Sequence, residues 1–115
     1  MQLSPLAESA YQQAMADAQA FCLAGQYEAA FAQLERAHIL GQQALLLHWR
    51  VHLAMLRVAL AQSNRTEGLG QLWRLFLTPF GHLVNRLPVG NTGRANISAF
   101  KPMPIPEELR RIMAP

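Results

Sequence analysis

Residues that break helices are rare in the first half of this chain, and they divide it into segments of helical length. Ser4 and Pro5 are typical of a helix start, because serine caps a free amide and proline fits the first turn. Gly25 and Gly41 each follow a run of good helix formers, and glycine is common just after a helix end. The chain therefore predicts a hairpin of two helices at its start.

Four main helices are expected in all. They cover about residues 4–24, 27–40, 42–62 and 67–78. The third contains no glycine or proline, and Pro79 is expected to disturb the fourth. A further short helical turn is expected from His82 to Asn85.

Helical periodicity disappears between residues 87 and 106, where proline, glycine and asparagine are frequent. Val89, Ile97 and Phe100 make this tail too apolar for disorder, so we expect it to wrap back across the helices. A short last helix is predicted over residues 107–113. The predicted fold is all-α: one domain over residues 1–115, with a helical body of two packed hairpins (residues 4–86) and an ordered irregular tail.

Three histidines are predicted to face the interior. His38 continues the apolar stripe of the second helix, and His48 and His52, four residues apart, lie on the inner face of the third. If the two helices form a hairpin, Glu35 is level with His48. These four side chains are typical ligands for zinc or another divalent transition metal, and they form the candidate metal site.

The same histidines are also compatible with a buried core that contains no ion. A neutral imidazole can be satisfied by a backbone carbonyl, a tyrosine or a carboxylate, and single buried histidines are more often structural than ligating. Tyr11 on the first helix should lie level with His38, and Glu35 and Tyr27 are further candidate partners. His82, beside Gly81, is expected on the surface or in a loop.

Charge and composition limit the other functions. The chain has one cysteine, Cys22, so no internal disulfide can form, and the apolar segment around residues 44–60 is broken by histidine and arginine. A cytoplasmic protein without a membrane span is expected. The net charge is +3, but the arginines are scattered and not interleaved with aromatic residues, so nucleic-acid binding is not expected.

Catalysis is not expected either, since the sequence has no phosphate-binding glycine loop and no nucleophile motif, and Trp49 follows His48 where a metalloprotease has glutamate. Exposed aromatic residues would instead suit binding of a protein partner or self-association. Trp49, Trp73, Phe76 and Phe80 are the candidates, although Trp73 and Phe76 also fit a monomer core. We therefore expect a protein-interaction or adaptor module, with metal binding as the alternative.

Residues 25–37 resemble the turn and second helix of a tetratricopeptide repeat, through Gly25, Tyr27, Ala30 and Ala37. No second copy occurs at the 34-residue period of such repeats. The resemblance implies a tetratricopeptide-like helical hairpin.

The whole chain resembles a small uncharacterised bacterial family of about this length. The resemblance rests on residues 34–42, 48–55 and 90–98 and on the segment Pro102-Met103-Pro104-Ile105-Pro106. It implies a domain of unknown function and brings no activity with it.

Overall fold

The computed structural model describes residues 3–114, and these form five α-helices without a β-strand. The helices are α1 (Pro5–Leu23), α2 (Tyr27–Gly41), α3 (Leu45–Ala61), α4 (Arg65–Leu83) and α5 (Glu107–Met113). The predicted all-α class, with four main helices and a short C-terminal one, is confirmed. Packing in the manner of a tetratricopeptide repeat stays a prediction.

The helices pack as two hairpins, α1 on α2 and α3 on α4, and α2 joins them by packing on α3. Gly25 lies between α1 and α2 with a φ of +75°. This left-handed conformation is the one expected of a glycine just after a helix end. Phe31, Leu34 and Met55 are fully buried where the hairpins meet. Short α5 returns to α1 and α2 and buries Leu109. Within the part of the chain described, no helix is both long enough and apolar enough to cross a membrane.

Helix α4 differs from the prediction because it continues through Pro79 to Leu83. A proline inside a helix leaves the carbonyl four residues earlier without its usual amide donor. That carbonyl belongs to Leu75, and the indole Nε1 of Trp49 on α3 donates to it at 3.1 Å. A side chain from the neighbouring helix thus replaces the backbone donor that Pro79 lacks.

The orientation of α4 also differs from that of an ordinary surface helix. Its buried face is largely polar, with Glu67, Gln71, Arg74 and Thr78. Its exposed face is apolar. The side chains that form it are Leu69, Leu72, Trp73, Phe76 and Phe80, and we call this set the α4 outer face. The interpretation of Trp73 and Phe76 as core residues is therefore wrong, because buried positions are taken by Glu67, Gln71 and Arg74, which bind the tail.

The tail folds on itself and on the helices. Asn91, which is 1% exposed, donates from its Nδ2 to the carbonyls of Ser98 (3.0 Å) and Lys101 (2.7 Å). Arg74 of α4 donates to the Ile97 carbonyl at 2.5 Å. The tail of residues 87–106 therefore has little regular structure, yet it is held in place by hydrogen bonds.

Candidate metal centre

Three imidazoles from two helices converge in the interior. His38 lies in the last turn of α2, and His48 and His52 lie one turn apart on α3; each is at most 5% exposed. Their Nε2 atoms form a nearly equilateral triangle, with separations of 3.1 Å (His38 to His48), 3.1 Å (His48 to His52) and 3.2 Å (His38 to His52). The sequence-based expectation that these three meet agrees with this geometry.

The triangle has the dimensions of a three-histidine metal site. Zinc binds imidazole nitrogen at about 2.0–2.1 Å, so an ion at that distance from all three atoms would lie about 1 Å out of their plane. The resulting N–metal–N angles are about 100°, close to those of a tetrahedral site. The three nitrogens therefore need no rearrangement to share one ion.

A backbone carbonyl orients the first ring. Nδ1 of His38 lies 2.6 Å from the carbonyl oxygen of Asn91. A carbonyl can only accept, so Nδ1 carries the proton and Nε2 is left with a bare lone pair. The tail supplies this contact, and the side chain of Asn91 holds the residue in place through its bonds to the carbonyls of Ser98 and Lys101.

A glutamine orients the second ring. Nδ1 of His52 lies 2.7 Å from Oε1 of Gln71 on α4. The amide nitrogen of Gln71 donates to Glu67 Oε2 (2.7 Å) and to the Gly93 carbonyl (2.9 Å), and neither group can donate in return. The oxygen of Gln71 must therefore face His52, and Nε2 of His52 is also a bare acceptor.

The third ring is held by the fourth histidine. Nδ1 of His48 lies 3.0 Å from Nε2 of His82. Where His48 donates this bond from Nδ1, its Nε2 is a bare acceptor like those of His38 and His52. The expected surface or loop position of His82 is wrong, because α4 continues past Pro79 and places this half-buried ring beside the cluster.

Burial keeps the cluster uncharged. Loss of hydration lowers the pKa of His38 to about 3 and that of His52 to about 4, and it places the pKa of His48 well below its usual value. Arg74 contributes to the lowered pKa of His38 and of His52 through its positive charge. Neutral imidazole is the form that binds a metal ion.

Glu35, predicted as a fourth ligand, is not part of the converging group, which consists of the three histidines. Its Oε2 lies 3.3 Å from Arg94 Nη1, and Arg94 also pairs with the buried Glu67 at 2.8 Å. Arg94 belongs to the tail, and its positive charge attracts the Glu35 carboxylate. A helical wheel of α2 and α3 does not include the tail. Tyr11 likewise does not bind His38 as expected: its hydroxyl donates to the Leu47 carbonyl at 2.8 Å.

A cavity of about 60 Å³ opens beside the triangle. Its walls include the three histidines together with Arg74, Thr78 and Asn91. A volume of this size is well above the roughly 10–15 Å³ that one water molecule needs. Small ligands can therefore be accommodated next to the three nitrogens.

Sequence reasoning did not identify Gln71, Asn91 or the role of His82, each of which contacts the outer nitrogen of one ligand. Gln71 did carry a signal: on a helix of otherwise apolar spacing, it lies four residues after Glu67 and three before Arg74, on one face. Asn91 carried none, since its contribution is a backbone carbonyl.

Comparison with known proteins places the chain in a family and gives no activity. No curated protein and no solved structure matches it. The small uncharacterised family of about 110 residues expected from the sequence is confirmed: residues 6–113 match the model of the family described as "Protein of unknown function (DUF3703)", and the chain belongs to that family.

Proposed function

We propose that this protein binds a divalent transition metal ion, with zinc as the best fit, through Nε2 of His38, His48 and His52. The observation that carries the proposal is the triangle of these three atoms, with sides of 3.1–3.2 Å, in the protein interior. Imidazole is a preferred ligand of zinc, copper, nickel and iron.

The hydrogen bonds around the rings support a cation at the centre of the triangle. His38 and His52 each use their one proton on an outer oxygen, so two lone pairs face each other at 3.2 Å without a proton between them. Buried acceptors that lack donors cost about 1–3 kcal/mol each. A metal ion converts this unfavourable arrangement into three bonds.

The outer contacts are those of a metal site as well. Metal-bound histidines usually donate their second nitrogen to a carbonyl or a carboxylate, which fixes the ring and strengthens the ligand. Here the three outer partners are the Asn91 carbonyl, the Gln71 amide oxygen and His82. Three protein ligands leave a fourth position, which is typical of zinc sites that bind water or a small ligand.

The proposal is tested by loading the purified metal-free protein with Zn²⁺, Ni²⁺ and Cu²⁺, followed by dialysis and elemental analysis. We expect one ion per chain, and X-ray absorption should give nitrogen neighbours at about 2.0–2.1 Å for zinc. The His48→Ala, His52→Ala double variant should lose the ion. Tyr11→Phe, which changes a buried group outside the cluster, is the matched control and should retain it.

Unchanged stoichiometry in the double variant would contradict the proposal, as would a wild-type protein that takes up no ion. Circular dichroism of each variant distinguishes loss of the ligands from loss of the fold.

The α4 outer face favours self-association as a second function. Its five side chains are each more than half exposed, and they recur at helical spacing as one stripe. Trp73 stacks on Phe76 with ring centres 5.8 Å apart, and Phe76 contacts Phe80 at 5.3 Å. Contiguous exposed apolar surface of this kind marks interaction sites.

A second copy of this chain is the occupant that best fits the face. The stripe carries no charge, so nothing in it selects a charged partner, whereas an identical apolar helix is complementary to it about a twofold axis. With Leu83 and Val84, which are 81% and 60% exposed just beyond it, the apolar surface is on the order of 800 Å², the amount each partner contributes to a standard interface.

Light scattering after gel filtration tests the dimer. We expect the wild-type protein to elute with twice the monomer mass and Phe76→Glu to elute as a monomer. Leu6→Glu, an equally exposed leucine on α1, should leave the dimer intact. A monomeric wild-type protein would overturn the dimer, including the case in which it binds phospholipid vesicles through the same face.

A further inference from the structure

Arg74 lines the metal cavity, and one of its hydrogen-bond donors has no acceptor among the described residues. Arg74 is 7% exposed and lines the cavity together with the three histidines. Its Nη1 and Nη2 donate to the carbonyls of Gly70 (3.1 Å) and Ile97 (2.5 Å). Its Nε is buried and, among the described residues, has no acceptor.

The charges near the cluster do not compensate a bound metal ion. Glu67 and Glu35 both pair with Arg94, so these three groups together carry one negative charge, which Arg74 balances. The three proposed ligands are histidines, which bind a metal ion as neutral imidazoles and add no negative charge. A divalent ion would therefore leave two uncompensated positive charges in the interior, where an unpaired charge is costly.

From this we infer that the fourth position of the metal ion, together with Arg74, forms a binding site for a small anion. The inference rests on the proposed metal site. The anion would bind the metal ion on one side and take a charge-assisted hydrogen bond from the guanidinium on the other. The cavity of about 60 Å³ beside the three nitrogens has room for a ligand of a few non-hydrogen atoms.

Arginine beside a metal ion otherwise has no electrostatic benefit, because the two positive charges repel each other. Removal of the guanidinium should thus have opposite effects on the two ligands. It should leave metal affinity unchanged or increase it, and it should weaken anion binding. A purely structural role for Arg74 predicts that both affinities fall together.

Cobalt(II) replaces zinc as a visible probe in the test, and azide is the anion. We expect azide to shift the cobalt absorption bands of the wild-type protein with saturation. In Arg74→Met the azide Kd should rise about tenfold or more, which corresponds to the loss of one hydrogen bond to a charged group. Cobalt affinity should not fall.

Two further variants make the result interpretable. Arg57→Met removes an exposed arginine on α3 and should behave like the wild type. Arg74→Lys keeps the positive charge with fewer donors, so its azide Kd should lie between those of the wild type and Arg74→Met. It also provides the comparison if Arg74→Met does not fold.

The outcomes separate the two proposals. If cobalt does not bind to the wild-type protein, the metal site is wrong and the anion site falls with it. If cobalt binds but azide leaves its spectrum unchanged, only the anion site is overturned. Equal azide affinity in the wild type and in folded Arg74→Met would show that the metal binds the anion without Arg74.

Discussion

Oε1 of Gln71 lies 2.7 Å from Nδ1 of His52, and the two residues belong to the facing helices α4 and α3. The glutamine fixes which nitrogen of the histidine carries the proton, so it leaves the lone pair of Nε2 available to the proposed metal ion. Loss of such an outer partner typically lowers metal affinity 10- to 100-fold. We therefore expect Gln71→Met to raise the zinc Kd by that factor, as measured by competition with a chromophoric chelator.

The matched control is Gln19→Met, an exposed glutamine on α1. Its zinc Kd should equal that of the wild type. A Gln71→Met protein that binds zinc with wild-type affinity would contradict the assigned role of Gln71.

Gly93 of the tail lies against the ring of His38, where there is no room for a side chain. Its φ is +84°, and a Cβ added there would lie 2.5 Å from Cδ2 of His38. Gly93→Ala must therefore displace either the tail or the ring. We expect a loss of about 1–3 kcal/mol in the free energy of unfolding, by analogy with other strained sites, and weaker zinc binding.

Gly25→Ala separates strain from the clash. Gly25 has a similar φ of +75°, but nothing lies within 4 Å of the added Cβ. Urea denaturation should show a loss of about 1–2 kcal/mol from the left-handed backbone alone. Zinc affinity should not change in Gly25→Ala. If zinc affinity decreased equally in Gly25→Ala and Gly93→Ala, the contact with His38 would be unimportant.

The positions of α1 and α2 and the convergence of the histidines could be predicted because they depend on local signals. The end of α1 follows from Gly25, and residues four apart on a helix share a face whatever surrounds them. Gly41 does not act in the predicted way, because it is the last residue of α2 and lacks a positive φ. His48 and His52 needed no tertiary information to be placed together. His38 needed just the hairpin.

The remaining features depend on contacts between segments distant in sequence. Pro79 would end most helices, and its tolerance here depends on Trp49, thirty positions away. Glu35 is attracted away from the cluster by Arg94 of the tail. A helical wheel describes one helix at a time, so neither effect is visible in it.

The hydrogen bond from Trp49 to the Leu75 carbonyl should stabilise the protein, because Pro79 has no amide proton to donate to that carbonyl. We expect Trp49→Phe, which keeps an aromatic ring but removes the donor, to lower the free energy of unfolding by about 1 kcal/mol. In a Pro79→Ala background the backbone amide at position 79 can donate to the Leu75 carbonyl instead. Trp49→Phe should then lower the free energy of unfolding by less. A double-mutant cycle by urea denaturation measures this coupling, and a coupling energy of zero would contradict it.

Acid should destabilise the metal-free protein through the buried histidines. Burial lowers the pKa of His38 to about 3 and of His52 to about 4, whereas in the unfolded chain both titrate near 6.5. Below pH 6.5 the unfolded state binds more protons than the folded state, so stability is complete above that pH and is lost as the pH falls towards the folded pKa values. The free energy of unfolding should decrease by about 1.4 kcal/mol per pH unit for each histidine. Denaturation in the presence of a chelator between pH 7.5 and 5 measures the slope. In the His38→Gln, His52→Gln variant the free energy of unfolding should change clearly less with pH. If the wild type and the variant had equal slopes, other groups would control acid unfolding.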